Sequence, residues 1–347
     1  MNILIDIGHP AHVHFFRTFI SSAKEKGHNL TIVTRNKEIT NNLLDSYKIP
    51  YINISTPQKG AIKLLSELVR HWYKIIQIIK KERIQIAMSI SGLFTSLPAT
   101  ICKIPNINFT DTEDATISNR ISFPFSSYIV TPNFFLYDIG KRHIRYNGLH
   151  ELAYLKDFNT ERIRERLTYL GMPERYVILR LVANDVLHDA DIKGITDESI
   201  LRIISRLQRF GKIFITSQKG LTNNLKPYSL NIPIEEIHTI MVGAILFVGE
   251  SPTMAVEASL LGTPSFLLSE RCNRLGNMIR LEKEKGLLRN FTIFKYLEKA
   301  IDEIGNPDQL KREWSKRAIQ YRQNSVDVAD MIEKVVERVI DKHDIRD

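Results

Sequence analysis

The sequence has only two cysteines among its 347 residues, Cys102 and Cys272, and neither lies in a spacing typical of metal ligands. This scarcity predicts a reducing, cytoplasmic environment. No run of about 18 apolar residues is present, which excludes a membrane-spanning helix. No basic and apolar leader precedes the first strand-like residues, so we expect no export. Signatures of RNA-binding, zinc-finger and helix-turn-helix modules are missing too, which argues against nucleic acid.

Acidic residues are scarce in the first part of the chain. Residues 1–156 carry 19 Lys and Arg against 11 Asp and Glu, whereas residues 157–347 carry 29 against 28, so nearly all of the net charge of +9 lies in the first part. Such a surface predicts an anionic partner, either an anionic lipid or lipid-linked acceptor or the inner face of the cell membrane. A basic surface that only keeps the protein soluble explains the same numbers.

Strand and helix patterns alternate along most of the chain, which predicts an α/β protein with parallel sheets. We expect two Rossmann-like domains facing a cleft, an N-terminal one over 1–156 and a C-terminal one over 157–347. The last 55 residues are predicted to be helical and are counted with the second domain. The predicted strands are Asn2–Ile7, Leu30–Thr34, Tyr51–Ile54, Ile84–Ile90, Asn106–Thr110, Ser127–Thr131, Tyr176–Leu181, Lys212–Thr216, Ala244–Val248 and Ser265–Leu268.

The most informative segment runs from Ala244 to Leu268 and reads AILFVGESPTMAVEASLLGTPSFLL. It predicts a buried strand, a turn at Gly249, and a helix capped by Ser251 that begins at Pro252. The first turn of such a helix opens at the carboxyl end of the strand, where free N–H groups attract phosphate.

Glu257 follows Thr253 by four residues, so the two share a helix face. A hydroxyl near phosphates and a carboxylate one turn deeper suit the diphosphate and the ribose diol of a nucleotide. A plain strand–helix crossover with an exposed Glu257 is the alternative. The predicted nucleotide-binding residues are Arg180, Ser217, Glu250, Ser251, Thr253 and Glu257.

The first strand ends in DIGHPAHVH, which places candidate catalytic groups at its carboxyl end. Gly8 permits a tight turn, and His9 then faces the expected cleft as a general base or as a phosphate ligand when protonated. Asp6 could orient the His9 imidazole. His12 lies one turn into the helix, where it serves as a substrate contact or as a surface residue, while His14 fits packing.

Further polar residues follow other predicted strands. Asp111 and Glu113 are reserve catalytic carboxylates, or acidic residues favoured at a helix start. Ser91 lies in a turn that could bind an anion, and Asn273, with Arg271 and Asn277, could close over a ligand. The polar loop with Asn184, Asp185, His188, Asp189 and Asp191 matches no defined metal site, so no metal is predicted.

The segment Ala61–Arg83 predicts an amphipathic helix with one apolar stripe and basic residues beside it. This pattern fits an interfacial membrane helix, and it also fits a helix that covers a sheet. Packing in the core is the favoured interpretation.

The segments GHPAHVHFFR, DTEDATISNRISFPF, YNGLHELAYL and ESPTMAVEASLLGTP together resemble an uncharacterised prokaryotic family, common in archaea, within the glycosyltransferase-B superfamily. More distantly, the chain is similar to UDP-N-acetylglucosamine 2-epimerases and to lipid-linked N-acetylglucosaminyltransferases. On the epimerase motif, Ser251, Pro252 and Thr253 fall on the diphosphate turn and Glu257 on the ribose carboxylate. Pro252 and Thr253 replace two glycines of that motif. Their side chains limit how closely the backbone can approach a phosphate.

The resemblance implies an enzyme that binds a UDP-sugar, with a UDP-N-acetylhexosamine as the expected ligand. The first hypothesis is a glycosyltransferase that acts on an envelope polysaccharide or a lipid-linked acceptor without a metal or other cofactor. The second is an isomerase similar to UDP-N-acetylglucosamine 2-epimerase. The third is a nucleotide-sugar-binding protein without catalytic activity.

Overall fold

The computed structural model describes residues 1–56, 60–182, 196–217 and 220–344. Internal contacts divide the chain into two units. The first contains Met1–Lys156, Leu275–Asn277 and the residues from Ser325 onward. The second contains Asp157–Arg274 and Met278–Asn324.

The first unit is built on a seven-stranded parallel sheet with the order β3-β2-β1-β4-β5-β6-β7. Its central strand β1 is almost entirely buried, because helices cover both faces of a parallel sheet. The strands are β1 (Asn2–Ile7), β2 (Asn29–Arg35), β3 (Ile52–Ser55), β4 (Ile86–Ile90), β5 (Asn106–Phe109), β6 (Tyr128–Pro132) and β7 (His143–Tyr146).

Helices connect the consecutive strands from β1 to β6, and a loop over 133–142 connects β6 to β7. Apolar residues of β1, β2, α3 and α4 form one continuous core on one side of the sheet, with Leu4, Val33, Ile75 and Ala99 among them. The helices are α1 (Pro10–Glu25), α2 (Glu38–Ser46), α3 (Ala61–Lys81), α4 (Ser96–Ile101), α5 (Thr116–Ser122), α6 (Leu152–Leu155) and the C-terminal α14 (Val328–Asp344).

The C-terminal helix belongs to the first unit by its contacts. The sequence-based prediction assigns all terminal helices to the second domain. Helix α14 packs on α1 and α6 with buried apolar residues that include Ile332 and Val339. At its edge, Glu333 accepts hydrogen bonds from Ser22 and from Lys26 Nζ, the latter at 2.6 Å. The amphipathic pattern predicts the helix itself, but only the tertiary contacts show which core it covers.

The second unit contains a five-stranded parallel sheet with the order β12-β11-β10-β8-β9. Its strands are β8 (Tyr176–Leu181), β9 (Lys212–Ser217), β10 (Leu246–Gly249), β11 (Ser265–Leu268) and β12 (Arg289–Phe291). Its helices are α7 (Ile163–Tyr169), α8 (Asp197–Leu207), α9 (Ile237–Gly243), α10 (Pro252–Leu260), α11 (Gly276–Lys283, whose first turn is counted with the first unit), α12 (Phe294–Asp302) and α13 (Pro307–Gln323).

Both sheets confirm the predicted fold class of two Rossmann-like parallel-sheet domains with terminal helices. Short elements account for most of the differences from the sequence-based prediction. Strands β7 and β12 are not among the strands that the sequence predicts. These elements contain three or four residues, too few for hydrophobic periodicity to mark them.

None of the described helices has the length and apolarity needed to span a membrane. Helix α3 has apolar residues on a buried side and also on an exposed side. Leu68, Ile75 and Ile79 are buried against the sheet, whereas Leu65 and Val69 of the same apolar set are exposed. The favoured core interpretation therefore describes only part of this stripe.

Candidate functional site

The turn after β10 has the conformation that its sequence predicts. Ser251 caps α10, with its Oγ accepting a hydrogen bond from Met254 N at 3.4 Å, and Pro252 occupies the first helical position. Gly262, in the left-handed region at φ 84°, follows the end of the helix. Ser251 and Thr253 therefore lie at the helix N-terminus, at the carboxyl end of β10, as expected of a phosphate-binding turn.

Arg180 lies beside this turn, because β8 pairs with β10 so that Arg180 faces Gly249. A Cβ on Gly249 would lie 2.6 Å from Arg180 Cβ, so only glycine permits this close approach. Burial lowers the pKa of Arg180, while the carboxylates of Glu257 and Glu250 act in the opposite direction. Its Nε is buried and finds no hydrogen-bond acceptor within the described part of the chain. Arg180 thus offers an anion a charged donor.

Glu250 forms hydrogen bonds to the residues at the end of the neighbouring strand β8. Its N–H donates to Arg180 O at 3.1 Å, and its Oε2 accepts a hydrogen bond from Val182 N at 2.9 Å. Burial raises the pKa of Glu250 despite that hydrogen bond and the nearby Arg180. Glu250 therefore joins the ends of β8 and β10.

Glu257 is buried one turn into α10, with 5% of its surface exposed. This contradicts the alternative in which Glu257 is an exposed helix residue. Its Oε1 lies 3.3 Å from Nε2 of His238, which is itself buried on α9. The sequence does not indicate His238, because nothing in the pattern of α9 distinguishes this histidine from a packing residue.

Two more predicted ligand residues follow neighbouring strands of this sheet. Ser217 ends β9 opposite Leu181, and Asn273 lies exposed in a short helical turn after β11. Asn277, expected beside Asn273, is instead buried and counted with the first unit. The polar loop residues Asn184, Asp185, His188, Asp189 and Asp191 lie outside the described residues. The two residues that follow Ser217 in the chain, Gln218 and Lys219, also lie outside them.

A small recess opens next to Arg180 and Glu250, on the side of the sheet that α8 and α12 cover. Among the described residues, Arg180 and Glu250 are the charged residues that line it, and the rest of the lining is apolar. Its lining residues are Leu179, Arg180, Leu181, Ile200, Ile203, Val248, Gly249, Glu250, Leu268, Phe294 and Leu297.

The candidate catalytic loop of the first unit follows β1. His9 is exposed and caps α1, with its Nδ1 accepting a hydrogen bond from Ala11 N at 3.2 Å. His12 Nδ1 accepts from Gly8 N at 3.3 Å, and Lys37 Nζ donates to Gly8 O at 3.1 Å. Burial lowers the pKa of His12 well below its usual value, and positive charge on His9, Lys37 and His150 adds to this effect. His12 is therefore neutral near pH 7.

His150 is a second residue that the sequence does not indicate, although it lies in the YNGLHELAYL segment. It is buried, its ring stacks on Phe15 at 4.7 Å, and its Nδ1 lies 3.0 Å from the Tyr146 hydroxyl. Asp111 Oδ2 lies 3.8 Å from the same Nδ1. Burial lowers the pKa of His150 and the Asp111 carboxylate partly offsets this. The structure thus brings the predicted Asp111 together with an unpredicted imidazole.

Glu113 has a different environment from Asp111. Its Oε1 accepts hydrogen bonds from Leu136 N and from Gly276 N, each at 3.1 Å, and all three residues are counted with the first unit. Burial raises the pKa of Glu113 to about 7, against the effect of these hydrogen bonds. Gly276 leaves no room for a side chain, since a Cβ there would meet Phe134 O. Glu113 therefore anchors two backbone segments.

Ser91 and Asp6 contact partners that the sequence did not indicate. Ser91 has a φ of 74°, and its Oγ lies 2.6 Å from Oγ of Ser118 on α5. The Asp6 carboxylate is buried, and its Oδ1 lies 3.9 Å from Nε2 of His71 on α3. His14 packs between Tyr47 and Tyr154, as predicted.

A metal-binding group of three or more His, Cys, Asp or Glu side chains does not occur among the residues outside the gaps in the structure. The polar residues described above belong to two sets, one in each unit. One follows β8, β9, β10 and β11 in the second unit. The other follows β1, β5 and β7 in the first unit.

Solved structures similar over almost the whole chain confirm the glycosyltransferase-B fold. The MnaA protein of S. aureus, in a co-structure with UDP, has a TM-score of 0.70 at 11% identity, covering 98% of this chain and 97% of its own. UDP-GlcNAc 2-epimerase of Neisseria meningitidis, bound to UDP-GlcNAc, has a TM-score of 0.65 at 12% identity, covering 99% and 100%. The glycosyltransferase VinC, in complex with DTDP, has a TM-score of 0.61 at 8% identity, covering 99% and 100%.

No curated protein matches the sequence. A family model described as "Protein of unknown function (DUF354)" matches residues 1–344. The match confirms the resemblance to an uncharacterised family, and the similar structures show its fold. The chain therefore belongs to the DUF354 family.

Proposed function

We propose that this protein is a glycosyltransferase that moves a sugar from a UDP-sugar, of the UDP-N-acetylhexosamine class, to an anionic envelope or lipid-linked acceptor. The observation that carries the proposal is the turn after β10. There, Arg180 lies beside the N-terminus of α10. Its Nε has no hydrogen-bond partner among the described residues. A leaving diphosphate is stabilised by positive charge and by the N-terminus of a helix. Arg180 would supply the charge, and the first turn of α10 lies beside it.

The donor would be held by the second unit. Ser251 and Thr253 would contact the diphosphate together with Arg180, and Glu257 would accept hydrogen bonds from the ribose hydroxyls. Ser217, Glu250 and Asn273 follow neighbouring strands and complete the proposed donor contacts. The similar structures bound to UDP, UDP-GlcNAc and DTDP support a nucleotide diphosphate as the ligand of this fold.

The acceptor would be activated by the first unit. We assign His9 as the general base, because its imidazole is exposed at the carboxyl end of β1 and is held by the helix cap. In the transfer, the acceptor oxygen forms a bond to the anomeric carbon, the bond from that carbon to UDP breaks, and His9 takes the acceptor proton. Asp111 and Glu113 remain the reserve carboxylates, with Gly8, His12 and Ser91 as nearby substrate contacts.

A 2-epimerase activity is the second candidate, favoured by the likeness to the UDP-GlcNAc 2-epimerase of Neisseria meningitidis. It would use the same donor site, and it would need acid and base groups around the sugar ring in place of an acceptor. Asp111 and His150, 3.8 Å apart, are side chains of the required type.

One experiment separates these functions. We would measure binding of UDP and UDP-GlcNAc by thermal shift and calorimetry, and then follow UDP-GlcNAc by NMR with and without a polyprenyl-linked sugar lipid that offers a hydroxyl as acceptor. Consumption that requires the lipid supports the transferase, and a second sugar epimer without lipid supports the epimerase. Binding without turnover indicates a non-catalytic nucleotide-sugar-binding protein. No stabilisation at millimolar UDP or UDP-sugar overturns all three.

A further inference from the structure

Helix α3 presents an apolar stripe to solvent in addition to its buried face. Leu65, Val69 and Tyr73 follow one another at intervals of four residues and therefore lie on one side of the helix. Their exposed fractions are 61%, 52% and 62%. The residues that pack on the sheet, Leu68 and Ile75, belong to a different side and are buried. This stripe is thus additional to the core-facing one.

The exposed side of α3 carries basic residues and no acidic side chain. Lys63, Arg70 and Lys74 are exposed next to the stripe. The helix has one acidic residue, Glu67, which is buried and forms an ion pair with Arg35 at 2.7 Å. Because Glu67 points into the unit, its charge does not offset the basic side chains on the surface.

We propose that the exposed face of α3, defined by Leu65, Val69 and Tyr73 with Lys63 and Arg70 beside them, binds the surface of an anionic lipid bilayer. A helix that lies in a membrane interface places apolar side chains at the acyl boundary and basic side chains at the headgroups. Tyrosine is favoured at this depth because its ring is apolar and its hydroxyl polar.

Charge complementarity selects a bilayer from among the surfaces that an apolar stripe could meet. Residues 1–156 carry 19 basic against 11 acidic residues. This net positive charge adds to the charge of α3 itself and attracts an anionic surface from a longer distance. The biological role of this binding rests on the proposed function, because a lipid-linked acceptor is located at a membrane. Its physical test is independent of catalysis.

The test measures sedimentation of the full chain with vesicles of phosphatidylcholine, with and without phosphatidylglycerol. We expect binding only to the anionic vesicles, weakened by added salt. The triple variant L65S/V69S/Y73S should bind at least roughly tenfold more weakly, since burying one such side chain is worth about that factor. K63Q/R70Q should lose about fivefold for each basic side chain removed.

Matched variants of the same unit serve as controls. I101S/I117S/L136S removes three exposed apolar side chains from other elements, and K24Q/K141Q removes two exposed basic ones. The apolar control should bind vesicles as the parent does, K24Q/K141Q should lose far less binding than K63Q/R70Q, and UDP stabilisation should be unchanged in every variant. Equal vesicle binding by parent and L65S/V69S/Y73S overturns the proposal, as does a parent that ignores anionic vesicles.

A change of oligomeric state on light scattering in L65S/V69S/Y73S also overturns the proposal, because the face would then be an interface between copies. Failure of the proposed enzyme function leaves a different result. In that case vesicle binding persists while neither UDP nor UDP-GlcNAc stabilises the protein. The two failures are therefore distinguishable in the same samples.

Discussion

Nε2 of His238 lies 3.3 Å from Oε1 of Glu257, and both side chains are buried in the second unit. The contact fixes one carboxylate oxygen against α9, one turn below the proposed diphosphate turn. A buried carboxylate needs such a partner, since an unpaired charge would be costly in this environment. The pair therefore restrains Glu257 for the ribose contact that we propose.

Glu257→Gln tests this contact without changing the size of the side chain. We expect UDP affinity to fall by about 1.5–3 kcal/mol, the range for hydrogen bonds that involve a charged group, because the amide is neutral. Calorimetry with UDP measures the change, and urea unfolding serves as the control for stability. A lower free energy of unfolding with unchanged UDP affinity would show that Glu257 is structural.

Gly249→Ala should damage the strand ends that position Arg180. The new Cβ would lie 2.6 Å from Arg180 Cβ and 2.8 Å from Arg180 O, so the backbone of β8 or β10 must shift. We expect a loss of about 1–3 kcal/mol in the free energy of unfolding, together with weaker UDP binding. Gly305→Ala is the matched control, since nothing lies within 4 Å of the added Cβ there. Unchanged stability and affinity in Gly249→Ala would contradict the close approach.

His9→Asn separates the cap of α1 from the proposed base. Asparagine is a good N-cap residue, so the helix start should keep its stability while the imidazole is removed. We expect turnover to fall by about 10²–10⁴-fold, the usual contribution of a general base, with UDP affinity unchanged. Steady-state kinetics and calorimetry report the two quantities. A variant with the parent turnover number would remove His9 from the mechanism.

The raised pKa of Glu113 predicts a pH-dependent difference in stability between the protein and Glu113→Gln. The pKa rises from 4.5 to about 7 on folding, so the folded state binds more protons between these values and is destabilised as pH increases. The cost is fully present above pH 7 and amounts to roughly 3 kcal/mol. Relative to the parent, Glu113→Gln should therefore gain stability from about pH 4.5 to pH 7 and level off above it.

Urea unfolding of the parent and of Glu113→Gln across this range checks the prediction. Comparing the two proteins cancels the contributions of buried histidines such as His12 and His150, which titrate in both. Burial of an amide in place of a carboxylate adds an offset that does not vary with pH. A constant difference at all pH values would show that the pKa of Glu113 does not change on folding.

Local chemistry accounts for the parts of the fold that could be predicted. The cap at Ser251, the first-turn Pro252 and the stop near Gly262 depend on neighbouring backbone groups, so the sequence alone predicts α10 closely. Long apolar strands such as β1 are equally clear, because burial on both faces of a parallel sheet leaves a continuous apolar run. Strand β7, which spans four residues, lacks that signal and was not predicted.

The sequence by itself determined the fold class, the family and the loops at strand ends where polar side chains gather. Only the tertiary structure decided which of those side chains meet: Glu257 with His238, Asp111 with His150, and Asp6 with His71. It also showed which side of α3 remains exposed. The physical reason is that helix caps and apolar periodicity act between neighbours along the chain. The partners of a buried polar group, in contrast, come from distant segments whose packing no local pattern records.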